Sequence, residues 1–466
     1  MRYISTRGEA PALNFEEVVL TGLARDGGLY VPETWPQMSH QEIRDLSGKS
    51  YAEVAAIVLQ PFLGDSVSSS DFRQMTEKAY GAFSHKAVVP LSQLDANDFL
   101  MELYHGPTLA FKDVALQLLG LLYDHLLGRK NKKVTIVGAT SGDTGSAAIE
   151  ACRGRDAVDI FILHPAGRVS DVQRRQMTTV LDSNVHNIAV DGDFDDCQAL
   201  VKALFNDLDF RDQYAVSAVN SINWARVMAQ IVYYFTTAIS LGGPERAISY
   251  SVPSGNFGDI YAGYCAAKMG LPIEQLIVAT NRNDILSRFF NTGEYIKEGV
   301  DPTISPSMDI QVSSNFERFL FDLYGQDGAA VKEMMRQLDE DGGFTVNMSQ
   351  LNNATFSAAK CDEQETLNVI AKTLKENGKL VDPHTAVGLK AAADCRRNVK
   401  TPMVTLATAH PAKFPAAVEK ATGHYPKLPA HMADLFEREE KMDHLPNDLS
   451  SLQTYIRERA RILSAD

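Results

Sequence analysis

From about residue 97 the chain alternates short apolar runs with longer stretches whose apolar residues recur every three or four positions. That alternation restricts it to an α/β fold on a mainly parallel sheet. The runs Val134 to Val137, Ile160 to Leu163, Val185 to Val190, Ile248 to Val252, Leu276 to Ala279 and Met403 to Ala407 read as buried strands. Between them, Asp113 to Leu127, Gly145 to Arg153, Asp195 to Asp207 and Trp224 to Leu241 read as helices. The opening differs: helical patterns over Phe15 to Ala24, Ser39 to Asp45, Tyr51 to Leu63 and Ser70 to Ala79 come with few strand signals. We therefore expect a mainly helical N-terminal domain over 1–95, a large α/β domain from 96–134 and 225–466, and a small α/β domain over 135–224.

Composition narrows the function. A net charge of −14 excludes an ordinary duplex nucleic-acid binder, so an anionic ligand has to be held by local groups. The five cysteines are odd in number, scattered and free of any Cys-x-x-Cys pair, which implies a reducing compartment. No apolar leader and no run long enough to span a membrane is present, so the expected location is the cytoplasm. No His-Glu-x-x-His or clustered Cys/His set predicts a transition metal, and no Gly-x-Ser-x-Gly elbow predicts serine hydrolysis.

In a parallel sheet, ligands sit where strands feed helix N-termini, because the free N–H groups and the helix dipole attract anions. Two loops in that position are rich in small and hydroxylic residues. Gly138-Ala139-Thr140-Ser141-Gly142-Asp143-Thr144-Gly145 follows one strand, and Pro253-Ser254-Gly255-Asn256-Phe257-Gly258-Asp259 follows another. Either loop alone is explained by a tight strand-to-helix turn with an N-cap; two on one chain point to anion cradles. Neither carries the dinucleotide Gly-x-Gly-x-x-Gly spacing. In His105-Gly106-Pro107-Thr108-Leu109-Ala110-Phe111-Lys112-Asp113, Lys112 sits where a helix begins, a position whose dipole suits Asp113 and not a cation. It is either solvated surface or a working amine, and Leu109, Ala110 and Phe111 would desolvate it and favour its neutral, nucleophilic form. Asn220-Ser221-Ile222-Asn223-Trp224-Ala225-Arg226 sets two amides, a hydroxyl and a guanidinium at another helix start, where Arg226 either grips a phosphate or pairs with an acidic neighbour. After the last strand, Thr408 points into the cleft or caps, and Lys413 faces substrate or solvent.

As a set, and in this order, these segments resemble the threonine synthases. The opening Gly27-Gly28-Leu29-Tyr30-Val31-Pro32 is similar to that family's N-terminal signature. The resemblance implies a fold-type II enzyme of pyridoxal 5'-phosphate, with two α/β domains of parallel or mixed sheet besides the helical N-terminal domain. It implies conversion of O-phospho-L-homoserine and water to L-threonine and phosphate, the last step of threonine biosynthesis. Lys112 matches the lysine that holds the cofactor as a Schiff base, and after its release by substrate the family's proton carrier at Cα and Cβ. Phe111, Asp143, Ser254, Gly255, Asn256, Phe257, Gly258, Asp259 and Thr408 match cofactor-binding positions, with Thr408 at the pyridine nitrogen and Asp143 near the ring hydroxyl. Asp143 departs from the family here, since many relatives carry Asn. Thr140, Ser141, Gly142 and Thr144 match the loop for the substrate carboxylate, while Asn220, Ser221 and Arg226 match its phosphate site. The expected partner is that small molecule alone, with no nucleic acid or membrane. The working form is expected to be a monomer, with a homodimer as the alternative. A serine/threonine dehydratase is the rival reading, set apart by Arg226, since its substrates carry no phosphate.

Overall fold

A computed structural model describes residues 1–218, 220–351 and 355–461. Val219, read above beside Asn220, and the end of the C-terminal tail lie outside the described residues. The chain divides into two compact units. One comprises Met1–Phe111 and Ser221–Pro426; the other comprises Lys112–Asn220 and the C-terminal segment from Lys427.

The first unit is built on a six-stranded sheet whose strands run in the order Phe356–Lys360, Ile273–Thr280, Ile248–Pro253, Met403–Ala407, Asp98–Glu102, Leu91–Asp95. All pairings are parallel except the last, which is antiparallel. Ile248–Pro253 and Met403–Ala407 are direct parallel neighbours, so the segments that follow them, from Ser254 and from Thr408, leave the sheet at the same edge. The N-terminal helices belong to this unit. Ser39 and Ser50 start two of them with capping boxes closed by Glu42 and Glu53. Helix Tyr51–Leu63 then packs its apolar face on helix Trp224–Ser240. Trp224 is the hub, fully buried, with Tyr3, Phe62 and Trp35 around it at ring-centroid distances of 5.9, 5.7 and 6.0 Å.

The second unit has a five-stranded, all-parallel sheet in the order Asp443–Leu445, Val185–Val190, Val158–Pro165, Val134–Ala139, Val216–Ser217. Its core joins Val137, Phe161, Leu163, Ile188 and Val190 to Leu452, Tyr455 and Ile456 of helix Leu449–Arg459.

These groupings change the expected boundaries in three ways. Residues 1–95 group with the large sheet, where helix Tyr51–Leu63 packs on helix Trp224–Ser240. Lys112 to Leu127 go with the small sheet, since helix Lys112–Gly128 packs on helix Asp143–Cys152. The C-terminal segment, expected with the large domain, instead adds an edge strand and a core helix to the small sheet. Among the described residues no helix is long and apolar enough to cross a membrane.

Candidate active site

In the second unit, Lys112 is the first residue of helix Lys112–Gly128 and Asp143 the first of helix Asp143–Cys152. Both are buried, and Lys112 Nζ lies 3.3 Å from Asp143 Oδ2. The two groups form a buried ion pair at that distance. The opposite oxygen, Asp143 Oδ1, accepts from Gln173 Nε2 at 2.8 Å. The loop between strand and helix is folded by Thr140, whose Oγ1 accepts the backbone N–H groups of Gly142 and Gly145 at 2.9 Å each. A Cβ on Gly145 would stand 2.4 Å from Thr140 Cγ2, which is why this turn takes glycine. Thr140 therefore shapes the loop as well as lining it. Ser141 is exposed and Thr144 half-buried. Asn220, at the end of this unit's first segment, has a buried Oδ1 with no hydrogen-bond partner among the described residues.

In the first unit, the glycine loop opens helix Gly258–Lys268, with Phe257 held left-handed at φ 59° and buried. Ser254 is buried, and its Oγ has no hydrogen-bond partner among the described residues. A Cβ on Gly255 would come within 2.6 Å of Ser307 O. An unsatisfied hydroxyl, a glycine pressed against backbone and a helix N-terminus are the parts of a cradle for a small anion such as a phosphate. Asp259 lies in the first turn of the same helix. Its Oδ1 takes the hydroxyls of Tyr233 and Tyr234, the latter at 3.2 Å, which ties the helix start to the neighbouring helix. Burial first, and then this carboxylate, raises both phenols far above their ordinary range, so they remain donors.

Thr408 is buried one residue beyond its strand, and its carbonyl accepts the Phe111 N–H at 2.8 Å. The same pairing continues through an antiparallel bridge between Ala110 and Ala409 and the bond from His410 N to Leu109 O at 3.0 Å, so the residue before Lys112 is fixed to Thr408 by backbone alone. Lys413, read above as facing substrate or solvent, is fully buried and donates to Thr108 O at 2.7 Å; it fastens the segment leading into Lys112.

Arg226 is buried in the first turn of helix Trp224–Ser240, which Asn223 caps. Burial removes the surface-arginine reading. Ser221 Oγ meets Ser314 Oγ at 3.1 Å, and Ser314 Oγ donates to Asn256 Oδ1 at 3.1 Å. Asn315 Nδ2 reaches both Ser221 O at 3.2 Å and Asn256 O at 3.0 Å. Two loops read separately in the sequence are thus joined by Ser313-Ser314-Asn315, with Ser313 Oγ on Gly255 O at 2.7 Å. Sequence reasoning passed over this tripeptide, and its one local signal is a cluster of small polar residues ahead of an apolar helix.

His105 is held by Glu102, with Nε2 to Oε2 at 2.8 Å; Lys379 and Ser92 occupy the other oxygen. Burial alone would raise the Glu102 carboxyl, but the hydrogen bonds from His105, Lys379 and Ser92 outweigh it and hold the group down to about 2. A carboxylate depressed from its ordinary 4.5 contributes stability that is present above that value and is lost as pH falls toward 2. The urea midpoint of the native protein is therefore expected to exceed that of Glu102→Gln at pH 7, with the gap shrinking between about pH 4.5 and 2. A gap that stays constant over that range would show that Glu102 does not carry it.

Three family models match the chain. One described as pyridoxal-phosphate dependent enzyme matches residues 87–349; threonine synthase N terminus matches 2–80 and threonine synthase, C-terminal, matches 385–456. A threonine synthase of Pseudomonas aeruginosa is 57% identical over 459 residues, covering 98% of this chain and 98% of its own. Among solved structures, a PLP-bound threonine synthase from Brucella melitensis superposes with a TM-score of 0.97 at 56% identity, covering 99% of this chain and 100% of that one. The yeast threonine synthase gives a TM-score of 0.93 at 39% identity, with 98% of each chain covered.

Proposed function

Because this chain belongs to the threonine synthase family of pyridoxal-phosphate-dependent enzymes, we propose that it turns O-phospho-L-homoserine and water into L-threonine and phosphate. The observation that carries the reading is a buried lysine, Lys112, at the head of a helix and 3.3 Å from the Asp143 carboxylate. When bound, pyridoxal 5'-phosphate supplies an aldehyde that captures amines and a ring that takes up electron density from the substrate Cα.

The chain supplies the rest. Ser254, Gly255, Asn256, Phe257 and Gly258 would hold the cofactor phosphate, with the orphaned Ser254 hydroxyl and the helix N-terminus as donors. Thr408 would meet the ring nitrogen with a hydroxyl, which leaves that nitrogen less protonated than a carboxylate would. Asp143 would face the ring hydroxyl. Thr140, Ser141 and Thr144, on a loop at a helix N-terminus, suit the substrate carboxylate. Asn220, Ser221 and Arg226 suit its phosphate, Arg226 through the bidentate geometry of its guanidinium. Lys112, as an amine, takes the proton from Cα and moves protons at Cβ. Burial serves this role, because a desolvated amine is the stronger nucleophile once neutral. The reading further has the protein work in the cytoplasm on this small molecule, as a monomer, with a homodimer as the alternative.

Adding O-phospho-L-homoserine to the protein loaded with pyridoxal phosphate is expected to release phosphate and L-threonine in equal amounts, at about 1–1,000 turnovers per second. Loaded protein that binds the compound without releasing phosphate would replace this reading with a dehydratase or a binding-only relative.

A further inference from the structure

Asp143 has a second buried neighbour that the proposed chemistry has not yet used. Gln173 is only 6% exposed and sits in the first turn of helix Asp171–Thr178. Ser170 caps that helix, and its Oγ accepts the Gln173 N–H at 3.3 Å. The same hydroxyl donates to Gln173 Oε1 at 2.9 Å, leaving Nε2 to donate to Asp143 Oδ1 at 2.8 Å. The reversed amide would set Oε1 against a carboxylate oxygen, two acceptors with no proton between them. The two contacts therefore fix one orientation of the amide. Close approach also depends on Gly142, where a Cβ would stand 2.5 Å from Gln173 Cδ. The loop assigned above to the substrate carboxylate thus contains a glycine that makes room for the glutamine.

We infer that Gln173 is a positioning residue for the reaction, its amide aimed by Ser170 so that the Asp143 carboxylate keeps Oδ1 engaged and turns Oδ2 toward Lys112. The inference rests on the function proposed above and deepens it. A carboxylate with one oxygen bound to a fixed N–H cannot rotate freely, and the second oxygen stays on the line to the amine. Lys112 is a charged group that the structure sets against Asp143, and Gln173 a neutral one. Without the amide, Oδ1 loses the contact that fixes its direction from this helix, and the carboxylate turns more freely. Turning weakens the negative charge acting on the Lys112 nitrogen.

The test uses the loaded enzyme and two substitutions. Gln173→Met keeps the length of the side chain and removes the donor; Ser170→Ala keeps Gln173 and releases its orientation. Relative to the native enzyme, Gln173→Met is expected to lower by about one unit the pH at which the visible band of the bound cofactor changes form. It is expected to lower kcat about 10- to 100-fold with a smaller change in KM, the range typical of residues that orient a working ligand. Ser170→Ala is expected to shift both in the same direction and by less, and it decides the matter if Gln173→Met yields no soluble protein. Variants that lose thermal stability while keeping the native band transition and kcat would overturn the inference and leave Gln173 a packing residue. A native enzyme that shows no visible band with pyridoxal phosphate would overturn both the inference and the function beneath it.

Discussion

Lys112→Ala is expected to abolish threonine formation, with kcat lower by at least about 1,000-fold, and to lose the visible band of the bound cofactor. Two separate losses combine. The cofactor loses its covalent anchor, and the proton at Cα loses its base, a contribution of about 100- to 10,000-fold by itself. Lys112→Arg is expected to fail equally, because a guanidinium stays protonated and cannot act as nucleophile or base. The fold should survive in both. Removing the ammonium leaves the Asp143 charge buried, but Gln173 still donates to Oδ1, so the cost falls below the roughly 3–5 kcal/mol typical of stripping one partner from a buried pair. Absorbance and phosphate release, measured on protein whose circular dichroism matches the native form, check the result. Residual turnover within about tenfold of native would remove Lys112 from the chemistry.

The parts legible in the sequence were those written in local pattern. Met403–Ala407 begins and ends where its sequence run does, since a strand buried on both faces has little polar alternation to blur it. The loops at Thr140 and Ser254 were readable because helix N-termini demand small, hydroxylic and glycine residues there. What failed lacked such a signal. Strand Asp443–Leu445 is only three residues long, two of them polar, and owes its state to the neighbouring Val185–Val190. Its position in the small sheet, with Leu452, Tyr455 and Ile456 behind it, is a tertiary fact that no window of sequence carries. Lys413 read as facing substrate or solvent because lysine is seldom buried; its ammonium donates to Thr108 O, a partner 305 positions away. Gln173 was the near miss. Ser170-Asp171-Val172-Gln173 is a capping-box pattern visible in the sequence, yet nothing local says that its amide meets Asp143.

Arg318→Met is expected to lower stability by about 3 kcal/mol or more and to weaken cofactor binding as well. Arg318 is fully buried in helix Phe316–Leu323, stacked over the Trp224 ring at 5.9 Å. Burial lowers its guanidinium to about 10, which still leaves it charged at neutral pH. Its Nε donates to Tyr30 O at 3.0 Å, its Nη2 to Ile222 O at 2.6 Å, and its Nη1 to Asn315 Oδ1. Tyr30 lies in the N-terminal signature, Ile222 adjoins Ser221, and Asn315 holds Asn256, so one fork of donors fixes three segments at once. Methionine fills much of the volume but strands those oxygens, and buried acceptors without donors cost about 1–3 kcal/mol each. Lysine would not replace it, because a single ammonium cannot match the planar spread of the guanidinium. The functional loss follows from Asn315: released on one side, it no longer sets Ser221 and Asn256, which the proposed mechanism assigns to the substrate and cofactor phosphates. Urea midpoints followed by circular dichroism, together with titration of the variant with pyridoxal phosphate, read both effects. An Arg318→Met protein as stable as the native form, or one destabilised with unchanged cofactor affinity, would break the link between this buried cation and the phosphate loops.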